Sequence, residues 1–242
     1  MNYKLDKNIR FQHSSSMTVQ EIIEELKRAS DMDAIEGMKR FGITTEYTYG
    51  VKIPILRQIA KQTGRDHKLA QALWKINTRE TRILTSMIEE IRYVTEKEME
   101  NYIKEFDYWE ICDQFCMNLF EKLPYAYEKA IELARRKDEF AKRTGFVMMA
   151  RLAVSDKKAP NEKFEPFFSY IYDESTDQRN MVKKAVNWAL RQIGKRNKTL
   201  HKKAIELAKK IYQIDDPTAH WIAHNALREL NSENIKKRLK DG

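Results

Sequence analysis

The sequence predicts an all-α protein whose helix pairs stack into a right-handed α-solenoid, or superhelix, with a concave basic face. Glycine and proline are scarce, at 7 and 5 of 242 residues, and apolar residues make up 42% of the chain and recur at helical spacing. The last third of the chain also repeats itself. ALRQI at 189–193 returns 37 residues later as ALREL at 226–230, and KAIELARR at 129–136 returns at twice that distance as KAIELAKK at 203–210. Repeats of about 40 residues with two helices each are typical of HEAT-like arrays, in which each pair buries its apolar stripe against its neighbours.

The first two helices are predicted from the residues at their ends. Residues 1–16 show no hydrophobic periodicity and are expected to form a poorly ordered lead-in. Thr18 and Glu21 have the spacing of a capping box, which begins a helix. A second helix is predicted at 33–41 and ends at Gly42, because glycine readily adopts the left-handed conformation that follows helix ends.

A connector then leads into a nearly continuous series of helices. Gly50 permits a turn, Pro54 suits the first turn of the third helix, and Gly64 closes that helix. From Leu69 onward no linker is long enough to divide the chain, so we expect residues 17–242 to form one domain. Further helices are predicted at 68–76, 81–94, 96–106, 104–118, 125–136, 139–154 and 164–172, and through the repeated segments up to 230.

The charge of the chain favours a polyanionic partner such as nucleic acid. Lysine and arginine outnumber aspartate and glutamate by 45 to 36, which gives a net charge of +9. Between 179 and 210 Glu206 is the single acidic residue. Such a cluster is often only a solvated helix face, but its nearly uniform sign favours contacts with phosphates. The basic residues that follow Arg179 in this segment are Lys183, Lys184, Arg191, Lys195, Arg196, Lys198, Lys202, Lys203, Lys209 and Lys210.

The sequence also argues against several classes of protein. No run approaches the roughly 18 apolar residues of a membrane span, and the N-terminus lacks the apolar core of a secretory signal. Cys112 and Cys116 are the only cysteines and lie one helical turn apart, which suits neither a disulfide framework nor a four-ligand zinc site. We therefore expect a cytoplasmic setting, no membrane contact and no metal or other cofactor. Nothing in the sequence demands a dimer, and we expect a monomer.

The stretch KEFDYWEICDQFCMN at 104–118 contains the most informative pair of residues. If it is helical, Trp109 and Asp113 are four residues apart and share a face. The simpler interpretation is a core aromatic beside a solvated carboxylate, since most helical aromatics are buried for packing. The alternative is a cleft in which a carboxylate faces a positively charged substrate.

Two other arrangements predict little chemistry. His220 and His224 have a spacing that can bind zinc on a helix, but the glutamate of an HExxH motif is missing and no third ligand is evident. Cys112 has no histidine partner nearby in sequence, which argues against a thiol nucleophile.

Four stretches together resemble the AlkD-type DNA alkylation repair family. They are GVKIPILR, DYWEICDQF, FAKRTGF and KKAVNWALRQIGKRN, and the resemblance runs from roughly Ala34 to Leu230. Members of this family are bacterial DNA glycosylases built from HEAT-like repeats. The resemblance implies a bacterial cytoplasmic enzyme whose partner is double-stranded DNA containing alkylated bases.

The resemblance also implies a role for each matching residue. Asp113 corresponds to the catalytic carboxylate, Trp109 and Trp188 to the two aromatics of the cleft, and Arg143 to the arginine that contacts the DNA backbone beside the lesion. The other expected DNA contacts are Arg57, Lys52, Lys184, Arg191, Lys195 and Arg196.

The implied activity is hydrolysis of the N-glycosidic bond of cationic N3- or N7-alkylated purines, such as 3-methyladenine and 7-methylguanine. Such a base is already a good leaving group, so the carboxylate would stabilise the oxocarbenium-like sugar and position water. The aromatic rings would pack against the sugar, where their faces favour positive charge. The family does this without drawing the base into a pocket. No lysine nucleophile is evident, so the expected product is an abasic site.

Some observations leave room for a different function. Members of the family can carry a tyrosine before the Met-Lys of the second helix, where this chain has Gly37, which removes one lesion-side contact. Trp188 also suits an inter-helix core, and Arg143 could cap a helix or pair with Glu139. The alternative function is a non-catalytic helical-repeat scaffold that binds nucleic acid structures or a protein partner.

Overall fold

A computed structural model describes residues 17–43 and 47–239, and in those two ranges the regular structure is helical, with no strand. The predicted lead-in at 1–16 lies outside the described residues. The helices are α1 (Val19–Arg28), α2 (Met32–Arg40), α3 (Ile53–Thr63), α4 (His67–Ile76), α5 (Arg79–Ile88), α6 (Glu96–Lys104), α7 (Trp109–Asn118), α8 (Ala126–Ala134), α9 (Glu139–Ser155), α10 (Phe167–Asp173), α11 (Asn180–Gly194), α12 (Lys198–Tyr212), α13 (Pro217–Leu230) and α14 (Glu233–Lys236).

The helices form the predicted right-handed solenoid of HEAT-like repeats. Within the repeats α4 packs on α5, α8 on α9, α10 on α11 and α12 on α13. The second helices form a continuous row, since α3, α5, α7, α9, α11 and α13 each contact the next. The sequence period matches this architecture: KAIEL recurs in the first helices α8 and α12, and ALR recurs in the second helices α11 and α13.

Most of the predicted helix boundaries are confirmed to within two residues, but the helix predicted at 104–118 begins at Trp109 and the helix predicted at 164–172 begins at Phe167. Thr18 and Glu21 form the capping box that begins α1. Pro54 lies in the first turn of α3. Gly42, Gly50 and Gly64 all have positive φ, between 74° and 77°, a conformation that side chains with a Cβ rarely adopt.

The prediction that the fifth helix runs to residue 94 is wrong, because α5 ends at Ile88. Glu89 follows in an extended conformation and is fully buried. Its carboxylate lies 2.8 Å from His67 Nδ1 and accepts hydrogen bonds from Tyr102 Oη at 2.8 Å and Gln71 Nε2 at 3.2 Å. A buried carboxylate is costly unless it is hydrogen-bonded, and these partners from α4 and α6 are available only if the helix ends here.

Two ion pairs, one buried and one partly buried, connect successive repeats. Arg79 on α5 donates to both carboxylate oxygens of Glu110 on α7, at 2.7 and 2.8 Å. Arg151 on α9 donates to Glu121, just after α7, at 2.8 and 3.3 Å. We call these the inter-repeat ion pairs. Bidentate pairs of this kind fix the orientation of the groups they join, so they set how one repeat meets the next.

The two helices of one repeat, α8 and α9, approach closely at Gly145. A Cβ built on this residue of α9 would lie 2.3 Å from the backbone nitrogen of Ala134 and 2.7 Å from the carbonyl oxygen of Ala130, both on α8. Glycine is therefore required for the distance between these two helices. None of the helices in the described ranges is long and apolar enough to cross a membrane.

Candidate functional site

Trp109 is the first residue of α7, and Asp113 lies one turn further along the same face. The N-cap residue, Tyr108, makes no side-chain capping hydrogen bond. Trp109 packs partly buried against the core, and its indole Nε1 donates to the carbonyl oxygen of Phe41 at 2.8 Å. The indole is therefore held in place from α2, which precedes it by more than sixty residues.

Asp113 is paired with Arg143 through two parallel hydrogen bonds. Arg143 Nε lies 3.0 Å from Oδ1 and Nη2 lies 2.8 Å from Oδ2. The side chain of Asp113 is 13% exposed and that of Arg143 is 6% exposed, so the carboxylate is nearly but not completely covered. Because both oxygens accept from N–H groups, this is the geometry of an ionised carboxylate.

Arg143 also joins three repeats. Its Nη1 donates to the carbonyl oxygen of Met181, at the start of α11, at 2.7 Å. The arginine of α9 is thus fixed to both neighbouring second helices. The structure does not pair Arg143 with Glu139, which was one of the two alternatives that the sequence left open.

Burial raises the pKa of the Asp113 carboxyl above its ordinary value, and it outweighs the positive charge of Arg143, which acts in the opposite direction. The negative charge of Glu110 adds to the increase. For Arg143, burial has the largest single effect and disfavours the charged form, but the Asp113 carboxylate and the neighbouring Cys112 and Cys116 together raise the pKa. The carboxylate therefore depends on Arg143 for its charge and becomes protonated at a higher pH than an exposed aspartate.

The structure brings three of the four predicted catalytic residues together. Arg143 Cζ lies 5.9 Å from the centre of the Trp109 ring, at the outer limit of a cation–π contact. Trp188 lies on α11 about two turns beyond Met181. In the described part of the chain no hydrogen bond or ring contact joins Trp188 to Asp113, Trp109 or Arg143. With the Gln192 amide oxygen turned toward it, the indole of Trp188 donates at 2.8 Å.

Trp188 belongs to a row of predicted DNA contacts along α11. Lys184, Trp188, Arg191 and Lys195 are spaced by four, three and four residues and therefore lie on one face of the helix. Lys184 is exposed. Arg191 and Lys195 both pair with Glu229 on α13, Lys195 at 2.6 Å, so one carboxylate neutralises part of their charge.

Arg196 has an internal role that the sequence did not indicate. Its guanidinium donates to the carbonyl oxygens of Ala153, Asp156 and Ala159 at 2.8 to 3.0 Å and lies 3.9 Å from the ring of Phe164. Burial lowers its pKa. These bonds fix the loop that follows α9, and we do not propose Arg196 as a DNA contact.

Arg57 and Lys52 lie at the other end of the row of second helices. Lys52 Nζ is 3.1 Å from Asp31 Oδ2 at the surface, a contact that adds little stability. Arg57 is exposed and lines a cavity of about 250 Å³ that has no acidic residue in its wall. The other basic residues of this wall, which we call the basic cavity, are Lys61, Arg65 and Lys122.

Sequence reasoning missed the three partners of Arg57: Lys61 lies one turn along on the same helix, α3, but the other two lie outside that helix. Lys122 follows α7, and Arg65 follows α3. Burial lowers the pKa of Lys122, and the positive charge of Arg65 lowers it further. A group of like charges of this kind favours an anion, since each charge is unfavourable to the next without one.

The described residues contain no group of three or more histidine, cysteine, aspartate or glutamate side chains that could hold a metal ion. His220 and His224 are exposed. Cys112 is buried, and its Sγ lies 3.1 Å from Thr144 Oγ1. Burial in the core is consistent with the expectation that this thiol does not act as a nucleophile.

Comparison with known proteins adds independent information. None of the curated proteins matches this chain. Among solved structures, one described as a new family of proteins related to the HEAT-like repeat DNA glycosylases with affinity for branched DNA structures superposes with a TM-score of 0.72. It is 17% identical and covers 93% of this chain and 98% of its own. At this identity the similarity establishes the fold alone.

A second solved structure, a designed armadillo repeat protein in complex with the peptide (KR)4, is 14% identical with a TM-score of 0.41 and covers 90% of this chain and 86% of its own. The family model described as DNA alkylation repair enzyme matches residues 22–230, a range that includes the whole row of second helices from α3 to α13. DNA repair, and with it DNA binding, is the function common to that family. The chain therefore belongs to the DNA alkylation repair enzyme family.

Proposed function

We propose that this protein is a monofunctional DNA glycosylase that hydrolyses the N-glycosidic bond of cationic N3- and N7-alkylated purines in duplex DNA. The observation that supports this most is the cluster of Trp109, Asp113 and Arg143, in which a nearly buried carboxylate keeps part of its surface open and its arginine partner lies near an indole ring. A carboxylate in such a position stabilises positive charge that develops on a sugar. Alkylation already supplies the leaving group, so no metal or covalent nucleophile is required.

Each residue of the cluster has a separate task in this mechanism. Asp113 faces the sugar, stabilises its oxocarbenium character and orients the attacking water. Arg143 is a positioning residue, because its two hydrogen bonds keep the carboxylate ionised and fixed in orientation. Trp109 packs its ring against the sugar, and Trp188 meets the same strand further along α11. Lys184 and Arg57 bind phosphates on either side, and the protein acts as a cytoplasmic monomer.

The test is release of free 7-methylguanine and 3-methyladenine from methylated duplex DNA by the wild type and by Asp113→Asn. We expect the variant to lose release by a factor of 100 or more, roughly what removal of one transition-state electrostatic contact costs. It should keep most of its affinity for the duplex, because phosphates supply most of that affinity.

A matched control separates chemistry from folding. Removing one partner of a buried ion pair costs about 3–5 kcal/mol of stability, so Asp113→Asn destabilises the fold as well. Glu121→Gln breaks the comparable pair with Arg151, which joins the turn after α7 to α9 and lies at the opposite end of α7 from Trp109. Glu121→Gln should lose stability and keep base release. If both variants lose release in proportion to their loss of folded protein, Asp113 is structural.

A second candidate function is supported by the same ion pair. Both oxygens of Asp113 are occupied, and the Asp113–Arg143 pair has the same arrangement as the inter-repeat ion pairs. Under this alternative the protein is a non-catalytic scaffold, and its structural relative suggests branched DNA as the ligand. Absence of base release from folded, DNA-binding wild-type protein would favour this alternative.

A further inference from the structure

We propose that α13 carries a second DNA-contact surface, which binds an unpaired strand adjoining the duplex. Its central residue is Trp221, which is 37% exposed, whereas Trp74 in the core is 8% exposed. A large aromatic ring left this open to solvent gains nothing for the fold from its exposed area. The inference depends on DNA binding by this family and does not depend on chemistry at Asp113.

The sequence repeat places Trp221 on the same surface as the predicted DNA contacts of α11. Because ALR at 189–191 corresponds to ALR at 226–228, Trp221 takes the position of Lys184 one repeat earlier. In the same way Arg228 takes the position of Arg191. Since α13 packs on α11 as the next helix of the row, the row of α11 contacts continues onto α13.

Contacts within this surface hold its residues together. Lys183 Nζ, on α11, lies 5.0 Å from the centre of the Trp221 ring, which is a cation–π distance. Asn225 Nδ2 donates to the carbonyl oxygen of Trp221 at 2.8 Å, and Arg228 Nη2 donates to Asn225 Oδ1 at 2.9 Å. Trp221, Asn225 and Arg228 are four and three residues apart and thus share a face. We call Lys183, Trp221, Asn225 and Arg228 the α13 surface.

The charge of the α13 surface favours a polyanion. Lys183 lies over the ring, Arg228 lies about two turns further along the same helix face, and exposed His224 lies one turn beyond Trp221. The carboxylate closest in sequence is that of Glu229, and it is already paired with Arg191 and Lys195 on α11. The basic residues of the surface therefore remain available for phosphates.

The indole determines which form of DNA the surface suits. In a duplex the bases stack on one another, and the exposed backbone offers phosphates, which need only cations. An unpaired strand presents base faces, and an aromatic ring beside basic residues is the arrangement that stacks such bases with little regard to sequence. Trp221, with Lys183 over its ring and Arg228 on the same helix face, has this arrangement.

The experiment compares binding of a blunt duplex with binding of duplexes of equal paired length that carry a single-stranded 5′ or 3′ overhang, followed by fluorescence anisotropy. The wild type should bind one of the overhang duplexes about tenfold more tightly, roughly the affinity equivalent of one stacked base. Trp221→Ala should abolish this advantage and leave the affinity for the blunt duplex unchanged. Trp221→Phe, which keeps a ring, should retain most of it.

Tyr212→Ala is the matched control, because Tyr212 is a 49% exposed aromatic on the neighbouring α12, with its ring centre 5.1 Å from that of His220. This variant should keep the full overhang advantage. The proposal is overturned if the wild type shows no preference for either overhang, or if Trp221→Ala keeps the preference. It is also overturned if Trp221→Ala weakens blunt and overhang duplexes equally, which would indicate contact with the duplex alone. None of these outcomes depends on base release, so they leave the glycosylase proposal to its own test.

Discussion

Replacing Gly145 by alanine tests whether the distance between α8 and α9 is set by the missing side chain. The added Cβ would lie 2.3 Å from Ala134 N and 2.7 Å from Ala130 O, and both atoms belong to the backbone of α8. No rotamer change can relieve these contacts, so the helices must separate by about 1 Å to reach ordinary van der Waals distance. Overpacking of this kind costs about 3 kcal/mol even after the better helix propensity of alanine is included.

The same substitution at Gly37 is the control, since a Cβ there meets nothing within 4 Å. Gly37→Ala lies inside α2 and should stabilise the protein by up to about 1 kcal/mol. Both variants are measured by denaturant unfolding followed by circular dichroism and by thermal melting, where 3 kcal/mol corresponds to a decrease of roughly 6–12 °C. If Gly145→Ala unfolds at the midpoint of the wild type, or if Gly37→Ala loses as much stability, the argument from the interhelical distance is wrong.

Three further predictions concern charge. Because burial raises the pKa of Asp113 and the ionised form is needed, base release should fall with decreasing pH at a higher pH than an exposed aspartate would give; a pH–rate profile without this acid limb would contradict it. Arg57→Gln and Lys122→Gln should each reduce the slope of log affinity against log salt by about 1, and unchanged slopes would exclude phosphate from the basic cavity. Glu89→Gln should lower the free energy of unfolding, measured with denaturant, by about 2–4 kcal/mol, because Tyr102 Oη and Gln71 Nε2 lose a buried charged acceptor. A stability equal to that of the wild type would show that these donors find water instead.

Features fixed by neighbouring residues in the chain were predictable, and features fixed across repeats were not. The capping box at Thr18 and the turn at Gly64 depend on local backbone chemistry, so the sequence was sufficient for them. The end of α5 depends on Glu89 meeting side chains from α4 and α6, and a helical pattern in the sequence cannot reveal such partners. The repeat period was visible because two segments kept nearly identical residues.

The candidate site shows the same division. The shared face of Trp109 and Asp113 followed from helical spacing, but the pairing of Asp113 with Arg143 joins residues thirty apart. Position in the sequence did not distinguish Arg191, in the row of predicted DNA contacts along α11, from Arg196, which is bound to carbonyl oxygens in a loop. Both are arginines in one basic segment, and only the packing of the neighbouring repeats separates their roles.

Arg143 reaches from Asp113 on α7 to the Met181 carbonyl on α11, so the geometry of its hydrogen bonds depends on the pitch of the superhelix. A solenoid bends by small rotations of each repeat against the next, much as a spring does. Any ligand that opens or tightens the coil must stretch or relax the hydrogen bonds of this one guanidinium. We therefore expect a ligand that changes the curvature of the superhelix to change the orientation of the Asp113 carboxylate without touching it.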